Sequence, residues 1–188
     1  MRAKGGFTLV ELLVTGIIAL LIGSGLFVLA AQTWLSEQTI LNQNTAQSEA
    51  REAVNMVVND VLQLEPGPST QATGTLIQFM RPASGGIVRI QWSPYTKVLT
   101  RYSTVNISTI HNITSFQLTY EFREPSSDGN LDHWFRFSAP SMVPLPLPLR
   151  SKIVAVYVSA TATVNGATST MSGGVWIRNQ LTNIPAPV

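Results

Sequence analysis

The chain of 188 residues predicts an α+β fold, a long N-terminal helix whose second half packs on an antiparallel β-sheet head. Three observations carry this expectation. Residues 7 to 31 are apolar almost throughout. No proline occurs before Pro66, and residues 46 to 62 repeat apolar side chains at three- and four-residue steps. Beyond Pro66 the sequence breaks into short runs rich in β-branched and aromatic residues.

The first element reads as a membrane-spanning helix. From Phe7 to Ala31 run 25 residues whose only ionisable side chain is Glu11, and a helix needs ~20 apolar residues to cross a bilayer. Arg2 and Lys4 precede the run, which keeps a short N-terminus cytoplasmic and exports the rest. A secretory signal peptide is the competing reading, and "FVLAA" at 27 to 31 offers small residues to a signal peptidase. A signal h-region is ordinarily ~7 to 15 residues, well short of this run, and has no use for a carboxylate at its start. A plain membrane anchor leaves Glu11 equally unexplained.

The stretch "KGGFTLVELL", residues 4 to 13, resembles the class III leader of type IV pilins and of the pseudopilins of type II secretion. The resemblance implies that a prepilin peptidase removes residues 1 to 6 by cutting between Gly6 and Phe7. It further implies methylation of the new amino terminus at Phe7 and a role for Glu11 in filament assembly. The physics of the spacing agrees. Glu11 lies four residues after Phe7, on the same helix face and only ~6 Å further along the axis. Near the membrane interface both charges reach water or headgroups, whereas in a filament core each needs an opposite charge. That partner is either the amine of a neighbouring subunit or the amine of the same chain.

After Ala31 the helix continues as a stalk, residues 32 to 65. Its first part, "QTWLSEQTILNQNT" at 32 to 45, has little apolar face. Ala46, Ala50, Ala53, Val54, Val57, Val58, Val61 and Leu62 then form a stripe that must pack on something. Taken from Phe7 to Leu64 the helix would run 58 residues, or ~87 Å. Gly16, Gly23 and Gly25 are its weakest points, and "EPGPS" at 65 to 69 ends it. The β-rich head, residues 66 to 188, offers strands at "TLIQFM", "IVRIQW", "KVLTRYS", "SFQLTYEF", "HWFRFS" and "IVAVYVSATATV", with a last one in "TSTMSGGVWIRN". Turn material separates them, such as "SPYT" and "SSDGN". "PLPLPLR", residues 144 to 150, is extended and excluded from a sheet interior. The order of pieces between residues 113 and 180, "ITSFQLTYEFREPSSDGNLDHW", "KIVAVYVSATATV" and "VWIRNQ", is similar to J-type minor pseudopilins and W-type minor pilins. That similarity implies a low-abundance subunit at the filament tip that promotes assembly. Its partners would be the prepilin peptidase, the other pilins of the filament and an inner-membrane assembly platform.

Charge is polarised along the chain. Residues 32 to 65 carry five acids against Arg51, net −4, whereas residues 66 to 188 carry nine basic residues against four acids, net +5. The basic set, Arg81, Arg89, Lys97, Arg101, Arg123, Arg136, Arg150, Lys152 and Arg178, forms no run and reads as a complement to acidic neighbours. The alternative is a competence-type minor pilin that binds incoming DNA through this basic head. Zero cysteine excludes disulfides and thiolate metal sites. No catalytic residues, metal site or cofactor site can be assembled. His111 and His133 are the only histidines, no Gly-x-Ser-x-Gly is present, and no phosphate-binding glycine loop follows a strand. "DGNLD", 128 to 132, alternates oxygen-bearing side chains as calcium loops do, but a twelve-residue loop begun there ends on Ala139, and a hairpin turn is the better account.

Overall fold

The computed structural model describes residues 8–63, 71–81, 86–124, 133–138, 144–146, 150 and 153–177. The chain falls into two compact units, Met1–Leu41 and Asn42–Val188. One helix, α1 (Leu9–Leu62), begins in the first and ends in the second. It is unbroken: Gly16, Gly23 and Gly25 sit in regular helix with open space around the position of an added Cβ. In the first unit every described residue from Thr8 to Leu41 is exposed. This is a helix long and apolar enough to cross a membrane.

The second unit is an α+β head. From residue 46 onward α1 buries Ala46, Ala50, Ala53, Val54, Val57, Asp60 and Val61, the three- and four-residue stripe of the sequence with two changes. Leu62 is exposed, and Asp60 takes its place in the stripe. The helix closes with Gln63 N–H donating to the carbonyl of Asp60 at 3.2 Å.

The strands form two antiparallel sheets where one was expected. The first has the order β1 (Gln71–Ala72), β2 (Leu76–Arg81), β3 (Gly86–Ser93), β4 (Val98–Tyr102) and β5 (Ile107–Ile110), a meander of neighbours. The second has the order β7-β6-β8-β9, with β6 (Ile113–Glu124), β7 (His133–Ser138), β8 (Ile153–Val164) and β9 (Ala167–Trp176). β1 and β5 are short edge strands that no run of the sequence announced. Residues 144 to 146 of the proline-rich segment lie outside both sheets, with Leu145 buried and its N–H bonded to the Ala72 carbonyl at 2.8 Å. β8 and β9 are joined by Asn165-Gly166, both at positive φ (47° and 84°), the backbone of a two-residue hairpin turn that matches strand twist.

Alternation along the strands sorts the two faces. Ile77, Phe79, Val88, Ile90 and Leu99 of the first sheet join Leu118, Tyr120, Val156, Val158 and Ala160 of the second and the helix stripe in one core. Its polar tips are satisfied: the buried Tyr120 hydroxyl donates to the Thr73 carbonyl at 2.8 Å, and Trp92 Nε1 to the Ile113 carbonyl at 2.8 Å. Helix and sheet come into close contact at Gly173, where a Cβ would stand 2.7 Å from Val54 Cγ1. The outer face of the second sheet is hydroxyl-rich, with cross-strand pairs such as Thr161 with Thr170 at 2.9 Å and Ser159 with Ser172 at 3.1 Å.

Candidate functional site

Of the residues singled out by the sequence, Gly6 and Phe7 lie outside the described residues, and Glu11 stands in the first turn of α1. Its surroundings supply a further, local reason for a carboxylate. The Glu11 N–H donates to Thr8 Oγ1 at 3.3 Å, while Glu11 Oε2 accepts from the Thr8 N–H and the Thr8 hydroxyl, each at 3.3 Å. This is a capping box, in which an N-cap threonine and a glutamate three residues later satisfy two helix-terminal donors reciprocally. The negative charge also faces the positive end of the helix dipole. Thr-x-x-Glu was the available signal. Further on, Thr15 folds back, its hydroxyl donating to the Glu11 carbonyl at 2.7 Å, which keeps a polar group satisfied in an apolar segment.

Among the described residues of the head, Arg101 and Arg136 are matched to acids of the same chain. Arg101 on β4 grips Asp60 with two bonds, Nε to Oδ2 at 2.5 Å and Nη2 to Oδ1 at 3.0 Å, and its Nη1 reaches Asn106 Oδ1 at 2.9 Å. The hydrogen bond to Asp60 raises the Arg101 pKa above its ordinary value against an opposing effect of burial. An acid in the last turn of a helix is unfavourable to its dipole, and Arg101 supplies the missing positive charge. Arg136 on β7 contacts Glu121 on β6 at 3.4 Å and stacks 4.2 Å from the centre of the Tyr157 ring on β8. Hydrogen bonding to Glu121 is the chief cause that raises the Tyr157 phenol above its usual range. The ring lies over Gly174, where a Cβ would come within 2.5 Å of Tyr157 Cδ1. Glycine is therefore required beneath the aromatic.

Among the described residues, Arg150, Lys97 and Arg89 stand apart from one another. Arg150 donates to the Leu145 carbonyl, Lys97 is exposed at a turn with φ 54°, and Arg89 is half-buried on the outer face of the first sheet. Lys152 and Arg178 lie outside the described residues. His111 is exposed ahead of β6, and His133 opens β7. The segment 128 to 132 also lies outside the described residues, and among those described no three His, Cys, Asp or Glu side chains gather as metal ligands. Set against protein-family models and curated proteins, the chain matches none.

Proposed function

We propose that this chain is a minor pilin or pseudopilin, a structural subunit stored in the cytoplasmic membrane and incorporated at the tip of a type IV pilus or type II secretion pseudopilus. Prepilin peptidase cuts between Gly6 and Phe7 and methylates Phe7. The subunit then leaves the membrane to join other pilins through the assembly platform. The observation that carries the reading is one uninterrupted helix with two environments. Its first part is apolar, exposed and holds a single carboxylate at its start, and its second part is buried in a β head. Such a helix has a use for both lipid and neighbouring helices, and Glu11 can meet a neighbour's Phe7 amine when lipid is exchanged for protein.

Two measurements test this. Mass spectrometry of the mature chain should find methylated Phe7 at the N-terminus; a chain beginning at Ala31 or Gln32 would refute the pilin reading. The second separates charge from capping. Glu11→Gln preserves a capping box, which glutamine also forms, but removes the charge. Thr8→Val keeps the charge and removes the hydroxyl half of the cap. Incorporation into sheared filaments should fall steeply for Glu11→Gln and only modestly for Thr8→Val, which keeps the Thr8 N–H bond to the carboxylate. The reverse order would mean that Glu11 serves its own helix and has no assembly role.

A further inference from the structure

We infer that the outer face of the five-stranded sheet is a docking surface for another protein, with Arg89 as its anchor for a carboxylate side chain of that partner. Arg89 sits mid-sheet in the cross-strand row Gln78, Arg89, Tyr102. Val88 and Ile90 on either side of it point into the core, so Arg89 faces away from it. Its Nε is shut off from solvent and has no hydrogen-bond partner. Among the described residues no ion pair reaches it, unlike Arg101 and Arg136. A buried donor without an acceptor is unfavourable by itself, and a ligand that supplies the acceptor removes that penalty.

The sheet cannot supply a carboxylate. Between residues 66 and 120 the sequence has Arg81, Arg89, Lys97 and Arg101 and no acid at all. The acid that answers Arg101 comes from α1. Around Arg89 lies an open depression of about 430 Å³ flanked by Gln78, Gln91, Ile87 and Tyr102. The Met80–Ile87 and Tyr102–Ile107 cross-strand pairs extend it with exposed apolar surface, Ile107 being 64% exposed. A half-buried arginine with a desolvated Nε, beside aromatic and aliphatic side chains and with amides alongside, has the composition of a protein–protein hot spot. A nucleic acid would need several cations spaced along its phosphates, whereas among the described residues lining this depression Arg89 is the one cation. The matching segment therefore carries Asp or Glu beside apolar residues. The inference does not rest on the filament reading, since processing at Gly6 and the role of Glu11 leave this face unchanged.

The test uses the full chain in the cells that make it, with the photoreactive p-benzoylphenylalanine replacing Ile87, irradiation, and mass-spectrometric mapping of the adduct. The expected product is a discrete adduct to a different protein, on a peptide bearing Asp or Glu next to apolar residues. Its yield at limiting partner should fall at least ~30-fold with Arg89→Gln, as for loss of one member of a buried charge pair. Arg89→Glu combined with arginine at the mapped carboxylate should restore it. No adduct, an adduct to nucleic acid, lipid or a second copy, or a protein adduct indifferent to Arg89→Gln would each overturn the proposal. In the detergent-solubilised full chain, Arg89→Met should not lower the melting temperature, because it removes an unpartnered donor. A drop of more than ~4 °C, roughly 1 kcal/mol or more for a chain of this size, would make Arg89 a stabilising residue and likewise overturn it.

Discussion

Removing the Asp60 carboxylate is the sharpest probe of how the head is locked to its helix. The pair is bidentate, and the Asp60 side chain is 6% exposed against 16% for Arg101. At an effective dielectric of about 20, opposite charges ~4 Å apart attract by ~4 kcal/mol. Breaking a buried pair by deleting one partner costs ~3 to 5 kcal/mol, because the survivor loses its counter-charge without regaining water. Arg101 keeps Asn106 and part of its exposure, which sets Asp60→Ala near the low end, ~3 kcal/mol. For a chain of this size 1 kcal/mol moves the melting temperature by ~2 to 4 °C, so the drop should be ~6 to 12 °C. Arg101→Met removes the counter-charge of the more buried member and should cost a similar amount. The double change Asp60→Leu with Arg101→Met should recover most of the loss, since replacing both charges by apolar groups is often close to neutral. Thermal unfolding of the detergent-solubilised chain, followed by near-ultraviolet circular dichroism, measures all three. A single Asp60→Ala variant melting within ~2 °C of wild type would refute the reasoning, as would a double variant as damaged as the sum of its parts.

Two further outcomes follow from particular contacts. Gly173→Ala places a methyl 2.7 Å from Val54 Cγ1 and should destabilise by ~1 to 3 kcal/mol; adding Val54→Ala should relieve most of it, and failure of that rescue in the same melting assay would count against close helix–sheet packing. Tyr157 and Tyr120 both titrate above the ordinary phenol value of 10.0, the first chiefly through Glu121 and the second through burial. The neutral Tyr157 phenol is favoured in the folded head, so its contribution is complete below about pH 10 and is lost as pH rises beyond that through the raised value. Spectrophotometric titration should show Tyr120 and Tyr157 ionising late, and Glu121→Gln should lower the Tyr157 transition. An unchanged titration in that variant would dismiss the hydrogen bond.

What the sequence made legible was local. The stripe Ala46, Ala50, Ala53, Val57, Val61 has a spacing that only a helix places on one face, and "IVAVYVSATATV" alternates as a strand buried on one side must; both stand at the predicted residues. β1 and β5 are two and four residues long, and they are strands because β2 and β4 present free edges to them, a fact about neighbours remote in sequence. The division into two sheets is likewise a matter of which strands meet. Other features were readable and passed over. Asn165-Gly166 between alternating runs is a strong hairpin signal. Asp60 interrupts an apolar stripe and Arg101 shares the inward face of β4 with Leu99, a buried acid and a half-buried base that each imply the other.

Glu11 satisfies a local rule in a way that is compatible with the proposed assembly role. Its capping bonds use Oε2 and its backbone N–H, and among the described residues Oε1 accepts no hydrogen bond. An ionised carboxylate has acceptor capacity on each oxygen, enough for a helix cap on one and an ammonium on the other. The cap, worth ~0.5 to 2 kcal/mol, fixes where the carboxylate stands while the helix is alone. In the proposed filament an arriving amine would meet an acceptor already oriented, so the ordering of the glutamate side chain, up to ~2 kcal/mol of rotamer entropy, has largely been met before the partner arrives. On the proposed reading, capping is a means by which Glu11 is kept ready, and the Thr8–Glu11 spacing joins the two requirements in one turn of helix.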